Sequence, residues 1–121
     1  MAAVVSSCAS AGSAPQTFRF LSNLDPEAAL RCAHNRLRIE GFEVTESADG
    51  APPVALRRSE SESEVGTTEW WRVEVTISSD DTGRTVVQSV ASAGRRPEGP
   101  FTEPPVVLQG IVGKISASCT W

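Results

Sequence analysis

Hydrophobic and polar residues alternate most regularly between Glu69 and Ser92. Every second residue in the first half of this stretch is apolar, namely Trp71, Val73, Val75 and Ile77. This two-residue period is typical of a strand with one buried face. The segment from Ser79 to Gly83 interrupts the period with residues that tolerate tight turns, and a second run rich in β-branched residues begins at Thr85. The pattern predicts a β-hairpin.

A helical period follows Asp25. Apolar residues recur there at i, i+3 and i+7, namely Leu30, Ala33 and Leu37. Asp25 is a favourable N-cap residue, and Pro26 suits the first helical position. We predict that this helix ends near Glu40, with Gly41 as the residue just beyond the C-cap.

A second helix is predicted near the end of the chain, with Thr102 as its N-cap and Pro104 and Pro105 in its first turn. Its apolar face consists of Leu108, Ile111, Val112 and Ile115. Gly110 and Gly113 weaken a helix by roughly 1 kcal/mol each relative to Ala. Both glycines would allow close packing on another backbone.

Three shorter alternating stretches, at 17–21, 42–46 and 54–58, complete the pattern. The order β-α-β-β-β-β-α predicts an α+β fold, with an antiparallel sheet of about five strands and two helices on one face. Residues 1–16 are small and nearly uncharged, so we predict a flexible tail or tether, followed by a single domain over 17–121. The acidic run at 59–64 is typical of a solvated hairpin tip, with a cation-binding loop as the alternative.

The composition is that of an ordinary globular protein, with 121 residues, 21% of them charged and 40% hydrophobic. The net charge of −4 argues against non-specific nucleic-acid binding, which needs a clustered positive surface. The sequence has no run of about 18 apolar residues of the kind that spans a bilayer.

The segment Val5-Ser6-Ser7-Cys8 resembles the cleavage box of bacterial lipoproteins. The resemblance implies that Cys8 carries a lipid anchor and that the protein lies in the periplasm or cell envelope. The apolar run before Cys8 is shorter than an h-region of about 7–15 residues, and no basic residue precedes it. A start upstream of Met1 would explain this difference, and an accidental likeness in a cytoplasmic protein is the alternative. The element order is also similar to helix-grip modules in outer-membrane assembly lipoproteins.

Of the other two cysteines, Cys32 lies on the flank of the first predicted helix and Cys119 follows the second, four residues after Ile115. Two helices side by side on one sheet face would bring them within the roughly 4.4–6.8 Å Cα separation of a disulfide. A bridge between them would leave Cys8 for lipidation, as expected of an exported lipoprotein. The alternative is two independent buried thiols in a reducing cytosol.

Trp70 and Trp71 are neighbours in a strand and therefore point to opposite faces of the sheet. One should lie beneath the helices, and the other on the open face or under a neighbouring chain. Trp70, flanked by Arg72 and opposite Arg57, resembles the anchors of protein interfaces. The alternative is an edge tryptophan packed on long Arg and Glu side chains. Trp121 is either a contact residue or part of the core.

The sequence predicts no catalytic residue, no metal site and no cofactor. His34 is the only histidine, and Cys32 and His34 cannot converge on one atom because residues two apart on a helix do not face each other. The sequence also has no phosphate-binding loop, nucleophile elbow or HExxH motif.

The prediction is therefore a non-enzymatic, extracytoplasmic accessory subunit, tethered to a membrane and docking on a larger membrane-associated assembly. The first alternative is a small-ligand carrier with a pocket between the helices and the sheet. The second is a small hydrolase that works through two converging carboxylates.

Overall fold

A computed structural model describes residues 14–46, 51–60 and 68–120. The elements are β1 (Gln16–Ser22), α1 (Pro26–Ile39), β2 (Glu43–Thr45), β3 (Val54–Glu60), β4 (Thr68–Ser79), β5 (Thr85–Gly94) and α2 (Val106–Cys119). The five strands form one antiparallel sheet in the order β1-β5-β4-β3-β2. The predicted α+β fold is confirmed.

The predicted hairpin is the pair β4 and β5 at the centre of the sheet, in which Trp71 lies opposite Ala93 and Ser79 opposite Thr85. In the turn, the Asp80 carboxylate accepts the backbone N–H groups of Thr82 and Arg84 at 2.9 and 2.8 Å. Gly83 has a positive φ of 83°, which explains why glycine is needed there.

The core lies between one face of the sheet and the two helices. Its sheet residues are Ala55, Trp71, Val73, Val75, Val87, Ala91 and Ala93, and its helix residues are Ala29, Ala33, Leu37, Leu108, Ile111, Val112, Ile115 and Cys119. These residues occupy alternate strand positions and one stripe of each helix, as the two periods predicted. The opposite sheet face carries no helix among the described residues.

Helix α1 follows its prediction closely. The Asp25 carboxylate accepts the N–H of Ala28 at 2.7 Å, and Pro26 is the first helical residue. Glu40 is the C-cap, and Gly41 has a φ of 92°. The cap signals are local in sequence, which is why they locate both ends of the helix.

Helix α2 begins later than predicted, at Val106, with Pro105 at the N-cap and no side-chain cap. The prediction of Thr102 as the cap is wrong because Thr102 is paired with β5. Its N–H donates to the carbonyl of Ala93 at 2.8 Å, and the N–H of Ala93 donates to its carbonyl at 3.1 Å. The expected close packing at the two α2 glycines is also absent, since apart from their own helix no described atom lies within 4 Å of a Cβ built there.

The helices are antiparallel and joined by the predicted disulfide between Cys32 and Cys119, whose Cα atoms are 5.9 Å apart. The hydroxyl of Ser22, just before α1, donates to the carbonyl of Cys119 at 2.6 Å. At the other end, Lys114 Nζ lies 3.7 Å from Glu40 Oε2. Neither described helix is long and apolar enough to cross a membrane.

Four elements meet at one end of the domain, which we call the Gly94 end. β5 finishes there and β1 begins there, with Gln16 opposite Ala91. α2 starts there through the Ala93–Thr102 pairing. α1 finishes there, as the carbonyl of its C-cap residue Glu40 accepts from Arg57 of β3.

Candidate functional site

The two adjacent tryptophans lie on opposite faces of the sheet, as predicted. Trp71 is 5% exposed and lies beneath the helices. Trp70 is half-buried on the open face, between Arg58 on β3 and Gly94 on β5. The open face at the Gly94 end therefore presents a large aromatic ring that is not part of the hydrophobic core.

Arg72, two residues further along the same face, is held by two groups. Its Nη2 lies 2.9 Å from Glu74 Oε1, and its guanidinium carbon lies 5.7 Å from the centroid of the Phe101 ring. An ion pair on one side and a cation–π contact on the other restrict the rotamers of this long side chain. A contact made to Arg72 would therefore cost less side-chain entropy than a contact made to a freely rotating arginine.

Phe101 reaches the open face because Gly94 leaves room for it. A Cβ at Gly94 would overlap the carbonyl oxygen of Pro100 and lie 3.2 Å from Cδ1 of Phe101. The loop after β5 thus folds back over the end of its own strand. Phe101 was not among the site residues predicted from the sequence. The available signal was Gly94, since a glycine inside a strand pattern often marks a close backbone approach.

Arg57 does not lie opposite Trp70, and that part of the prediction is wrong. It pairs with Trp71 and shares the helix side of the sheet. Its guanidinium carbon lies 4.9 Å from the Trp71 ring centroid, and its Nη1 donates to the carbonyl of Glu40 at 2.9 Å. Arg57 therefore caps the end of α1, and Arg58 takes the position opposite Trp70.

The rest of the open face is mixed in character. Its half-buried apolar side chains include Val54, Leu56 and Val90. Leu56 lies opposite Arg72, and Val54 and Val90 lie opposite Glu74 on the two neighbouring strands. A mixture of partly exposed apolar groups and fixed charges is the usual composition of a non-obligate interface.

An open cavity of about 380 Å³ adjoins this face, lined by Gly94, Arg95, Arg96, Gly99, Pro100 and Thr102. Both arginines are exposed. The ion pair between Arg96 and Glu98 is long, at 3.9 Å, and both side chains are well exposed, so it contributes little stability. These guanidinium groups are available for contacts with another molecule.

His34 lies on the helical layer, away from this surface. Burial, followed by the charge of Arg38, lowers its pKa below 6.5, whereas the charge of Glu46 raises it. Because Cys32 is in the disulfide, it has no thiol that His34 could activate as a nucleophile. Within residues 14–46, 51–60 and 68–120, no group of three or more His, Cys, Asp or Glu side chains is arranged to hold a metal ion.

Cys8, Trp121 and most of the acidic run lie outside the described residues. Comparison of the sequence with known protein families and with curated proteins finds no match.

Proposed function

We propose that this protein is a non-enzymatic, extracytoplasmic accessory subunit, tethered to a membrane through Cys8. It docks on a larger membrane-associated assembly through the open sheet face around Trp70. The observation that carries this proposal is the cluster of Trp70, Arg72 and Phe101, in which an aromatic side chain lies beside a pre-oriented arginine.

Tryptophan and arginine are the residue types that most often dominate the binding energy of interfaces. Trp70 is half-buried on a rigid central strand, so little conformational entropy is lost when a partner covers it. Arg58 is exposed and lies directly opposite Trp70, so it supplies the positive charge at the rim of this surface that Arg57 was expected to supply. Trp121 stays a predicted contact residue.

The disulfide supports the extracytoplasmic part of the proposal. Structural disulfides persist in oxidising compartments and are rare in the cytosol. Because Cys32 and Cys119 are joined, Cys8 is left as the remaining cysteine of the sequence. A third cysteine in a small-residue tail suits a lipid anchor.

The two alternatives receive less support from the geometry. A small-ligand carrier would need space between the helices and the sheet, but fully buried side chains such as Leu37, Leu108 and Val73 fill that region. A carboxylate hydrolase would need two free acids in one cleft. Glu74 instead pairs with Arg72, and Glu40 lies within 4.0 Å of two basic side chains.

The test replaces Trp70 with Ala and measures co-purification with membrane partners after gentle detergent extraction. We expect a loss of about 2 kcal/mol, or roughly 30-fold in Kd, because a central anchor is removed. Thr76→Ala is the matched control, on the same strand and face but six residues away.

Because Trp70 is half-buried, Arg58→Glu provides a second variant that changes charge without removing packing. Thermal unfolding by circular dichroism establishes that each variant is folded. Folded Trp70→Ala and Arg58→Glu variants that recover partners as well as the unmodified protein would remove this face as the docking site.

A further inference from the structure

The most exposed large apolar side chains of the described chain are at the ends of the two helices. Val106 and Val107, at the start of α2, are 81% and 64% exposed, and Ile39, at the end of α1, is 71% exposed. Exposed apolar residues scattered singly need no explanation. The described residues include four exposed large apolar side chains. Three of them, Ile39, Val106 and Val107, lie at the Gly94 end, and the fourth, Leu21, is 39% exposed and lies at the opposite end.

The antiparallel packing of the helices makes the two valines project. The disulfide places Cys32 beside Cys119, so in this antiparallel pair Ile39, seven residues after Cys32, is about level with Val112. α2 begins six residues before Val112, at Val106, which corresponds to about 9 Å of helix. The first turn of α2 therefore extends past the end of α1 without a helix beside it.

The N-terminal tail leaves the domain at the same end. β1 begins at Gln16, which pairs with Ala91 near the end of β5. Cys8 precedes Gln16 by eight residues, so even a fully extended chain spans at most about 29 Å between them. A bilayer anchored at Cys8 is thus kept close to the exposed valines.

We infer that the Gly94 end of the domain lies against the bilayer surface, with Val106 and Val107 in contact with the lipid boundary. Arg95 and Arg96, both exposed on the neighbouring loop, would place their charges among the lipid phosphates while their methylenes cover apolar surface. This inference rests on the Cys8 anchor of the proposed function.

The partner surface is a zwitterionic bilayer rather than an anionic one. The chain has 15 acidic and 11 basic residues, a net charge of −4, so it has no overall attraction to anionic lipid. The apolar contact is therefore the main source of the binding.

The orientation also has a consequence for docking. Trp70 lies directly opposite Gly94, so the candidate docking surface is next to the bilayer in this arrangement. A partner that contacts it would be membrane-embedded or lie close to the membrane.

The test uses the full chain with one acyl chain attached through a maleimide at Cys8, which is possible because Cys32 and Cys119 are bridged. A single acyl chain binds membranes only marginally and reversibly. Contact by the domain therefore adds measurable retention on phosphatidylcholine vesicles. We expect the double substitution Val106→Ser and Val107→Ser to weaken retention about tenfold, since two exposed apolar side chains are lost from the contact.

Leu21→Ser is the matched control, because it removes an exposed aliphatic side chain at the opposite end of β1. It should leave vesicle retention unchanged. Equal retention of the double variant and the unmodified chain would overturn the inference, and so would an equal loss caused by Leu21→Ser.

Hydrogen exchange of the vesicle-bound protein provides a second readout that needs no substitution. Amides of residues 94–109 should become protected on vesicles, whereas those of the 80–83 turn should not. Uniform exchange at both ends would contradict the orientation. If Trp70→Ala abolishes partner recovery while the valine variant behaves normally on vesicles, the inference fails and the docking proposal stands.

Discussion

Reduction of the Cys32–Cys119 disulfide should destabilise the domain strongly. The bridge joins positions 87 residues apart and closes most of the folded chain into one loop. In the chain-entropy description, a loop of this length contributes about 4.6 kcal/mol at 25 °C, and the loss of native disulfides typically costs about 2–5 kcal/mol. Domains of this kind have a total stability of about 5–15 kcal/mol. Reduction would therefore remove a large fraction of the free energy of unfolding.

The assay is equilibrium urea unfolding, followed by tryptophan fluorescence, with and without a phosphine reductant. A Cys8→Ser background prevents thiol exchange with the tail. With a typical urea m value of about 2 kcal/mol/M, a loss of about 4 kcal/mol lowers the midpoint by about 2 M. The Cys32→Ser, Cys119→Ser double variant is the control and should not respond to the reductant.

A midpoint that moves by less than about 0.3 M on reduction would refute this reasoning, because loop closure then contributes almost nothing. A large shift would support an oxidising compartment, since the reduced domain would retain little stability in a reducing cytosol.

Three further changes test other parts of the fold. Gly94→Ala should destabilise the domain by about 1–3 kcal/mol in urea unfolding, because the new methyl group overlaps Pro100; an unchanged midpoint would contradict the close approach. Asp25→Ala should cost about 1 kcal/mol by the same measurement through loss of the α1 cap; a neutral result would mean that the cap is not needed. Burial, and then the charge of Arg38, lower the pKa of His34 in the folded protein. Below pH 6.5 the unfolded chain therefore binds more protons than the folded one, so the free energy of unfolding should rise as the pH increases towards 6.5. His34→Gln should flatten this rise, and an identical pH profile would disprove the assignment.

The parts of the fold that were predictable depend on local signals. The boundaries of α1 follow from Asp25, Pro26 and Gly41, which act within a few residues of the helix ends. The opposite orientation of Trp70 and Trp71 follows from strand geometry alone. The disulfide was predictable because the topology brings both helices to one face, which places the cysteines side by side.

The parts that were missed depend on pairing between distant segments. Arg57 and Arg58 are adjacent residues of the same type, so the sequence does not show which of them lies opposite Trp70. The register of β3 against β4 decides this. Likewise, Thr102 is a residue type that often caps helices, but its backbone N–H and carbonyl are hydrogen-bonded to Ala93, so it does not start α2. The position of Phe101 follows from that pairing, so the candidate site was only partly predictable.

The most direct test of the proposed function is mass spectrometry of the protein isolated from its own cells. The expected result is a mature chain that starts at Cys8, carries acyl mass on that residue, and contains Cys32 and Cys119 as a bridged pair. A protein with an unmodified Cys8 and free thiols at the other two positions would contradict it.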